Sequence, residues 1–253
     1  MNEESISRAA RIISESERTV VLTGAGISVP SGIPDFRSPV VGLWENIDPI
    51  EVATIDSFRL HPEKFYKFMA PLAEIMENAE PNPAHVALAE WEEMGFVHSV
   101  ITQNIDNMHQ RAGSKNVIEL HGNGDRSRCI ECKKNYSSEE VKERLRSGDG
   151  IPRCDCGAVI KPDVVLFGEP LPFKHLVQAE RDSENCDLMV IVGSSLTVAP
   201  ASMLPQIALV HKAKMVVANL QTTYIDSRAD VVLQDKVEEA LPLITEKLKQ
   251  LAG

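Results

Sequence analysis

Aromatic residues are scarce, at 5% of the chain with two Trp, three Tyr and seven Phe, and no run of 18 apolar residues occurs anywhere. The missing run argues against a membrane span, and the polar, acidic start MNEESISRAARIISESE argues against a secretory signal. Basic residues are outnumbered, 26 Lys and Arg against 37 Asp and Glu, leaving a net charge of −11. A nucleic-acid partner, which needs a basic surface, is therefore not expected. Cysteines number only five, and four of them form two close pairs, Cys129 with Cys132 and Cys154 with Cys156. That pattern fits metal binding in a reducing compartment better than a disulfide scaffold, and the expected setting is the cytoplasm. At 253 residues and 43% hydrophobic content the chain can bury a large core, as one domain with an insertion.

What is present centres on Thr19 to Arg37, TVVLTGAGISVPSGIPDFR. A β-branched apolar run breaks into Gly24, Ala25 and Gly26, where a backbone free of side chains can approach a pyrophosphate and a following helix would aim its N–H groups at the anion. The third glycine of a dinucleotide fingerprint is missing, because position 29 is Val29. The acidic ribose ligand about 20 residues on is missing too: Trp44-Glu45-Asn46-Ile47-Asp48 follows no apolar run. A hydride-transferring dehydrogenase is thereby disfavoured. Gly32-Ile33-Pro34-Asp35-Phe36-Arg37 reads instead as an ordered loop that could cover a cofactor.

Periodicity predicts an amphipathic helix over 5–17, helical segments within 38–80 with Pro71 kinking or dividing one of them, and a helix over 83–94 capped by Asn82. Strands are predicted near Phe96–Thr102, Val117–Leu120, Val164–Phe167, Asp187–Gly193, Lys214–Leu220 and Asp230–Leu233, with a closing helix over 236–250. The fold expected is α/β, a Rossmann-like open parallel sheet with helices on both faces, over residues 1–37, 81–122 and 161–253. A helical module (38–80) and a zinc-binding module (123–160) interrupt it. In the latter, Ser137 and Glu140 predict a capped helix ending near Gly148.

Two thiolate pairs can complete one tetrahedral structural zinc with no open coordination position. Cys154-x-Cys156 is a residue short of the usual spacing, with 21 residues separating the pairs, so a tighter turn is expected there. His121, at a predicted strand end, reads either as a satisfied structural histidine or as a base. Asn104 and Asp106 read as helix caps or as pocket residues, and Gly193-Ser194-Ser195 as a turn or a second small-residue bed for phosphate or ribose. Phe36 reads as core or cofactor contact, Arg37 as surface charge or cofactor contact.

GAGISVPSGIPDFR, Gln103-Asn104-Ile105-Asp106, His121-Gly122, the cysteine pairs, Phe167-Gly168-Glu169 and Gly193-Ser194-Ser195 together resemble the sirtuins, NAD-dependent protein lysine deacylases, over about residues 20–240. The resemblance implies NAD as cosubstrate and acetylated lysine in proteins or peptides as substrate. It implies removal of acetyl or another neutral acyl group, with nicotinamide and O-acetyl-ADP-ribose as products. By resemblance His121 is the general base and Asn104 a second catalytic residue. Asn104, Ile105 and Asp106 line the nicotinamide pocket, and Gln103 and Ser28 meet the ribose. Gly24, Ala25, Gly26, Asp35, Phe36, Arg37, Gly193, Ser194 and Ser195 hold the dinucleotide, while Asn219, Leu220, Lys236 and Val237 lie toward adenosine. Val165, Leu166, Phe167, Gly168 and Glu169 meet the acyl-lysine peptide, partly by strand addition. The desuccinylating branch carries Tyr-x-x-Arg; here Tyr66 is followed at that spacing by Met69, which favours neutral acyl groups. A monomer is expected. The readings left open are a protein mono-ADP-ribosyltransferase and a noncatalytic NAD- and zinc-binding module.

Overall fold

The computed structural model describes residues 2–35, 52–148 and 150–252. Strand β1 (Thr19–Thr23) is buried along its whole length. It lies between β2 (Val97–Thr102) and β7 (Leu188–Val192), parallel to both. With β3 (Val117–Glu119), β8 (Lys214–Ala218) and β9 (Val231–Leu233) they form a six-stranded sheet in the order β3-β2-β1-β7-β8-β9. Order reverses between β1 and β7, so their carboxyl ends diverge and open the crevice where such sheets bind ligands.

β-Branched and aliphatic runs suit strands covered on both faces. One face packs against the helices Glu3–Glu15, Pro83–Glu93 and Val237–Ala252 through Ile13, Leu88, Trp91 and Leu241. Trp91 Nε1 donates to Thr245 Oγ1 at 2.8 Å, which satisfies the indole within that core. The other face carries Leu204, Ala208 and Ala179 from the helices Leu204–Val210 and Phe173–Asn185. Among the described residues no helix is long and apolar enough to cross a membrane.

A second, three-stranded antiparallel sheet, β5-β4-β6, comprises β4 (Gly122–Cys129), β5 (Asn135–Ser137) and β6 (Ile160–Val164). The helix Ser138–Ser147 follows it, its start closed by the expected reciprocal bonds between Ser137 and Glu140. Here the predicted strand Val164–Phe167 is corrected. The strand ends at Val164 and pairs with β4, not with the large sheet, while Val165 and Phe167 donate their amides to the His121 and Ala53 carbonyls.

Two other expectations also change. The helix Pro62–Asn78 continues through Pro71, because proline and the Lys67 residue whose carbonyl loses its bond are both exposed to water. Among the described residues between the glycines and Asp35 the chain makes two single-turn 3₁₀ segments, Ala25–Ile27 and Val29–Ser31, and no α-helix whose dipole could face an anion. Pro30 has no N–H to continue a ladder, and Asn82 Nδ2 instead holds the Ile27 carbonyl at 2.7 Å and Ser31 Oγ at 2.9 Å.

The glycines themselves have a packing reason. Gly26 N donates to the Gly193 carbonyl at 2.8 Å, and a Cβ on Gly26 would stand 2.7 Å from that oxygen and 2.9 Å from Gly193 Cα. Gly193 has φ +60 and a Cβ there would meet Ile27 N at 2.3 Å. Gly26→Ala is expected to destabilise the fold by about 2 kcal/mol through overpacking, read as a lower denaturant midpoint. An unchanged midpoint would contradict the close approach.

Candidate active site and metal centre

The residues following β1, β2, β3 and β7 converge at the crevice. Asn104 Nδ2 donates to the Gly24 carbonyl at 3.1 Å and to Ser28 Oγ at 3.0 Å. Because Gly24 offers only an acceptor, the amide orientation is fixed: both Asn104 hydrogens are used, and Oδ1 remains as an acceptor with no donor among the described residues. Ser28 Oγ donates to Asp106 Oδ2 at 2.6 Å, and Met108 N donates to the other carboxylate oxygen at 3.0 Å. Burial pushes the Asp106 carboxyl above its ordinary range, opposed by the hydrogen bonds from Ser28 and Met108.

Gln103 bridges the divergence, its Nε2 donating to Ser194 Oγ at 2.8 Å and to the Thr23 carbonyl at 3.3 Å. Its carbonyl accepts from His121 Nδ1 at 2.8 Å. A carbonyl only accepts, so Nδ1 carries the proton and Nε2 of neutral His121 holds a free lone pair. Burial lowers the His121 pKa, with the Gln103 bond opposing, so the ring is an available base at neutral pH.

Two further histidines beneath this layer were not found from the sequence. His85 Nδ1 accepts from Asn82 N at 3.3 Å, which leaves Nε2–H to face Ser28 Oγ at 3.4 Å. His109 Nε2 meets Thr23 Oγ1 at 2.9 Å, and that hydroxyl donates to Thr102 Oγ1 at 2.9 Å. The two rings stand edge to face at 5.1 Å. Burial lowers His85 to about 4 and, together with His85, lowers His109 to about 3, so both are neutral props. The only sequence signal was Asn82-Pro83-Ala84-His85, which announces a helix cap and nothing of the contact to Ser28.

The remaining expected residues are dispersed. Ala25 and Ile105 flank the Gly24 and Asn104 positions, and Asp35 is half-buried at the end of the glycine segment. Ser195 Oγ pairs with Thr197 Oγ1 at 3.3 Å. At the end of β8, Asn219 Nδ2 donates to the Gln221 carbonyl, while Leu220 is 65% exposed. Lys236 is exposed and paired with Glu239 at 3.4 Å, and Val237 is buried. Val165 and Leu166 follow β6 beside His121, and Phe167 is 53% exposed next to Gly168 and Glu169. Phe36 and Arg37 lie outside the described residues. A cavity of about 820 Å³ joins Tyr66, Met69 and Val164 to Ile105 and Asp106.

At the tip of the small sheet the sulfurs of Cys129, Cys132, Cys154 and Cys156 all lie within 4.8 Å of one another. Cys129 and Cys156 approach to 3.6 Å and Cys132 and Cys154 to 3.4 Å. A tetrahedron with zinc–sulfur bonds of about 2.3 Å has edges near 3.8 Å, so the set fits zinc. The short spacing is met by a turn in which Gly157, at φ +88, donates to the Cys154 carbonyl. The amide of Cys156 and then the Tyr136 hydroxyl hold the Cys154 thiol down to about 6, which suits a thiolate ligand. Four thiolates leave no position for substrate, so the ion's role is structural. Elemental analysis is expected to find one zinc per chain, and strong chelation to lower the melting temperature. Absence of zinc with unchanged melting would refute the site.

Comparison with known proteins agrees with this geometry. Residues 24–200 match the Sir2 family model. The chain is 48% identical over 251 residues to the NAD-dependent protein deacylase 2 of Archaeoglobus fulgidus, covering 98% of each. It is 46% identical over 243 residues to the NAD-dependent protein deacetylase of Saccharolobus solfataricus, covering 96% of this chain and 97% of that one. A Sir2 structure with a p53 peptide and NAD superposes with a TM-score of 0.89 at 44% identity, covering 98% of both chains. The chain belongs to the Sir2 family.

Proposed function

We infer that this chain is an NAD-dependent protein lysine deacetylase. The observation that carries the reading is the neutral His121 with its free Nε2, held by the Gln103 carbonyl beside Asn104, Ser28 and Asp106 at the switch point of a Sir2-family sheet. NAD supplies an electrophilic ribose carbon and nicotinamide as the leaving group.

Asn104 Oδ1, with both amide hydrogens spent, presents a fixed negative dipole to positive charge developing in the crevice, and Asp106 offers a carboxylate to a carboxamide. His121 Nε2 takes a proton from a ribose hydroxyl, and a base so placed contributes roughly 10²–10⁴-fold. Gly24, Ala25, Gly26, Asp35, Phe36, Arg37, Gly193, Ser194 and Ser195 are assigned to the dinucleotide, and Asn219, Leu220, Lys236 and Val237 to the adenosine side. Val165 to Glu169 are assigned to the peptide. We divide the chain into a large unit (1–37, 81–122, 165–253), a helical module (38–80) and a zinc module (123–164). Residues 161–164 join the last because they continue its sheet. Action as a monomer in the cytoplasm, without nucleic acid or membrane, is the setting proposed; the acidic balance and the thiol cluster support it.

Neutral acyl groups are favoured because Met69 stands in an apolar cluster with Phe65, Val164 and Leu166, and the Tyr66 hydroxyl is spent on the Ile160 carbonyl. Mass spectrometry of an acetyl-lysine peptide is expected to show loss of the acetyl group only with NAD, together with nicotinamide and O-acetyl-ADP-ribose. The succinylated peptide should turn over at least about tenfold more slowly, since an unpaired carboxylate is penalised in an apolar wall. ADP-ribose gained by protein without deacetylation would favour the transferase instead, and faster removal of succinyl would overturn the neutral-acyl assignment.

A further inference from the structure

Between the zinc module and the large sheet the chain passes through Lys161 to Glu169, and one half-buried ion pair organises that passage. Lys161 Nζ donates to the Val164 carbonyl at 2.6 Å, to the Pro162 carbonyl at 3.2 Å and to Glu169 Oε2 at 2.9 Å. An ammonium has three hydrogens, and all three are spent on this single segment. The same Glu169 oxygen accepts from Leu166 N at 2.9 Å, while Glu169 N returns to the Leu166 carbonyl at 2.9 Å. The side chains are 13% and 24% exposed, so the pair is screened far less than a surface bridge.

What the pair encloses is the edge assigned above to the acyl-lysine peptide. Val165 N donates to the His121 carbonyl at 2.8 Å, and Phe167 exchanges amide and carbonyl bonds with Ala53 and Ile55 at 2.9 and 3.0 Å. Among the described residues the Val165 carbonyl and the Gly168 amide and carbonyl take no partner, which leaves them to an incoming strand. The segment is short, contains Gly168 at φ +87 and belongs to neither sheet beyond Val164. Its backbone direction therefore rests on few constraints, and the Lys161–Glu169 pair supplies the side-chain ones, through the Val164 carbonyl and Leu166 N.

We propose that Lys161 is a positioning residue for the acyl-lysine peptide: through Glu169 and the Val164 carbonyl it holds residues 164–168 in the conformation that pairs with substrate. The inference rests on the deacetylase reading. Lys161 touches neither His121 nor Asn104, so its loss acts on peptide binding and leaves the NAD side intact. Its place on β6, whose first residue donates from Ile160 N to the Pro152 carbonyl at 2.9 Å, also links the substrate edge to the cysteine module.

The test compares wild type, Lys161→Met and Lys161→Arg by steady-state kinetics with an acetyl-lysine peptide and NAD, alongside peptide binding by fluorescence anisotropy and thermal melting. Lys161→Met is expected to raise the peptide KM and Kd about tenfold, the worth of one charge-assisted contact, with kcat and the NAD KM within about twofold of wild type. Lys161→Arg keeps the charge and should lie within about threefold of wild type for the peptide. Should Lys161→Met not fold, Lys161→Gln, which removes the charge and keeps a polar donor on the same segment, is expected to give the same split. A peptide KM unchanged in the charge-removing variant, or peptide and NAD parameters falling together with the melting temperature, would overturn the proposal. If the wild type itself fails to deacetylate with NAD, the functional reading falls and the inference with it; a working wild type beside an unaffected variant removes the inference alone.

Discussion

The backbone contact between Gly26 and Gly193 is the constraint on which the rest of the site depends. Two strand ends that diverge at a topological switch point are drawn back together there by a 2.8 Å amide–carbonyl bond. That closeness is open only to residues without a Cβ. With the two loops so joined, Ser28 and Ser194 come within reach of the residues following β2, and Asn104 and Gln103 bind one each at 3.0 and 2.8 Å. The polar groups are mutually oriented before any ligand arrives, which is the condition under which fixed dipoles lower a barrier instead of reorganising during it.

This layer stands on a second one. His85, His109, Thr23 and Thr102 form a buried set whose hydrogen bonds face upward to Ser28 and across to β2. Burial keeps both histidines neutral, which lowers the cost of leaving His109 Nδ1 without a partner among the described residues. The zinc module adds a separate support, since its cysteines close the tip of a sheet whose strands begin and end beside His121: β4 starts at Gly122, and β6 leads into Val165.

Much of this was legible in the sequence wherever one residue pattern had one physical meaning. Val20–Leu22 and Leu188–Val192 are short apolar runs of the kind a doubly covered strand takes, and Asn82-Pro83 and Ser137-x-x-Glu140 fixed two helix starts. The small sheet was harder to see. β4 reads GNGDRSRC, too polar to announce a strand, and its partner β6 contains Pro162, tolerated because β6 is an edge. Without β4, the apolar run Val164 to Phe167 looked like the strand, although its amides serve loop contacts. At the site, strand-end residues could be anticipated from position. The tautomer of His121, the spent hydrogens of Asn104 and the contact between His85 and Ser28 join residues 18, 76 and 57 apart in sequence, and no local pattern encodes them.

The central claim is a division of labour, with Asn104, Ser28 and Asp106 acting on the nicotinamide side and His121 Nε2 acting on a ribose hydroxyl once nicotinamide has left. Exchange of labelled nicotinamide into NAD by His121→Ala, measured with acetyl-lysine peptide present and beside formation of free lysine, tests it most directly. The account predicts that exchange persists while free-lysine formation falls by roughly 10²–10⁴-fold. Equal loss of both, with NAD binding intact, would contradict it.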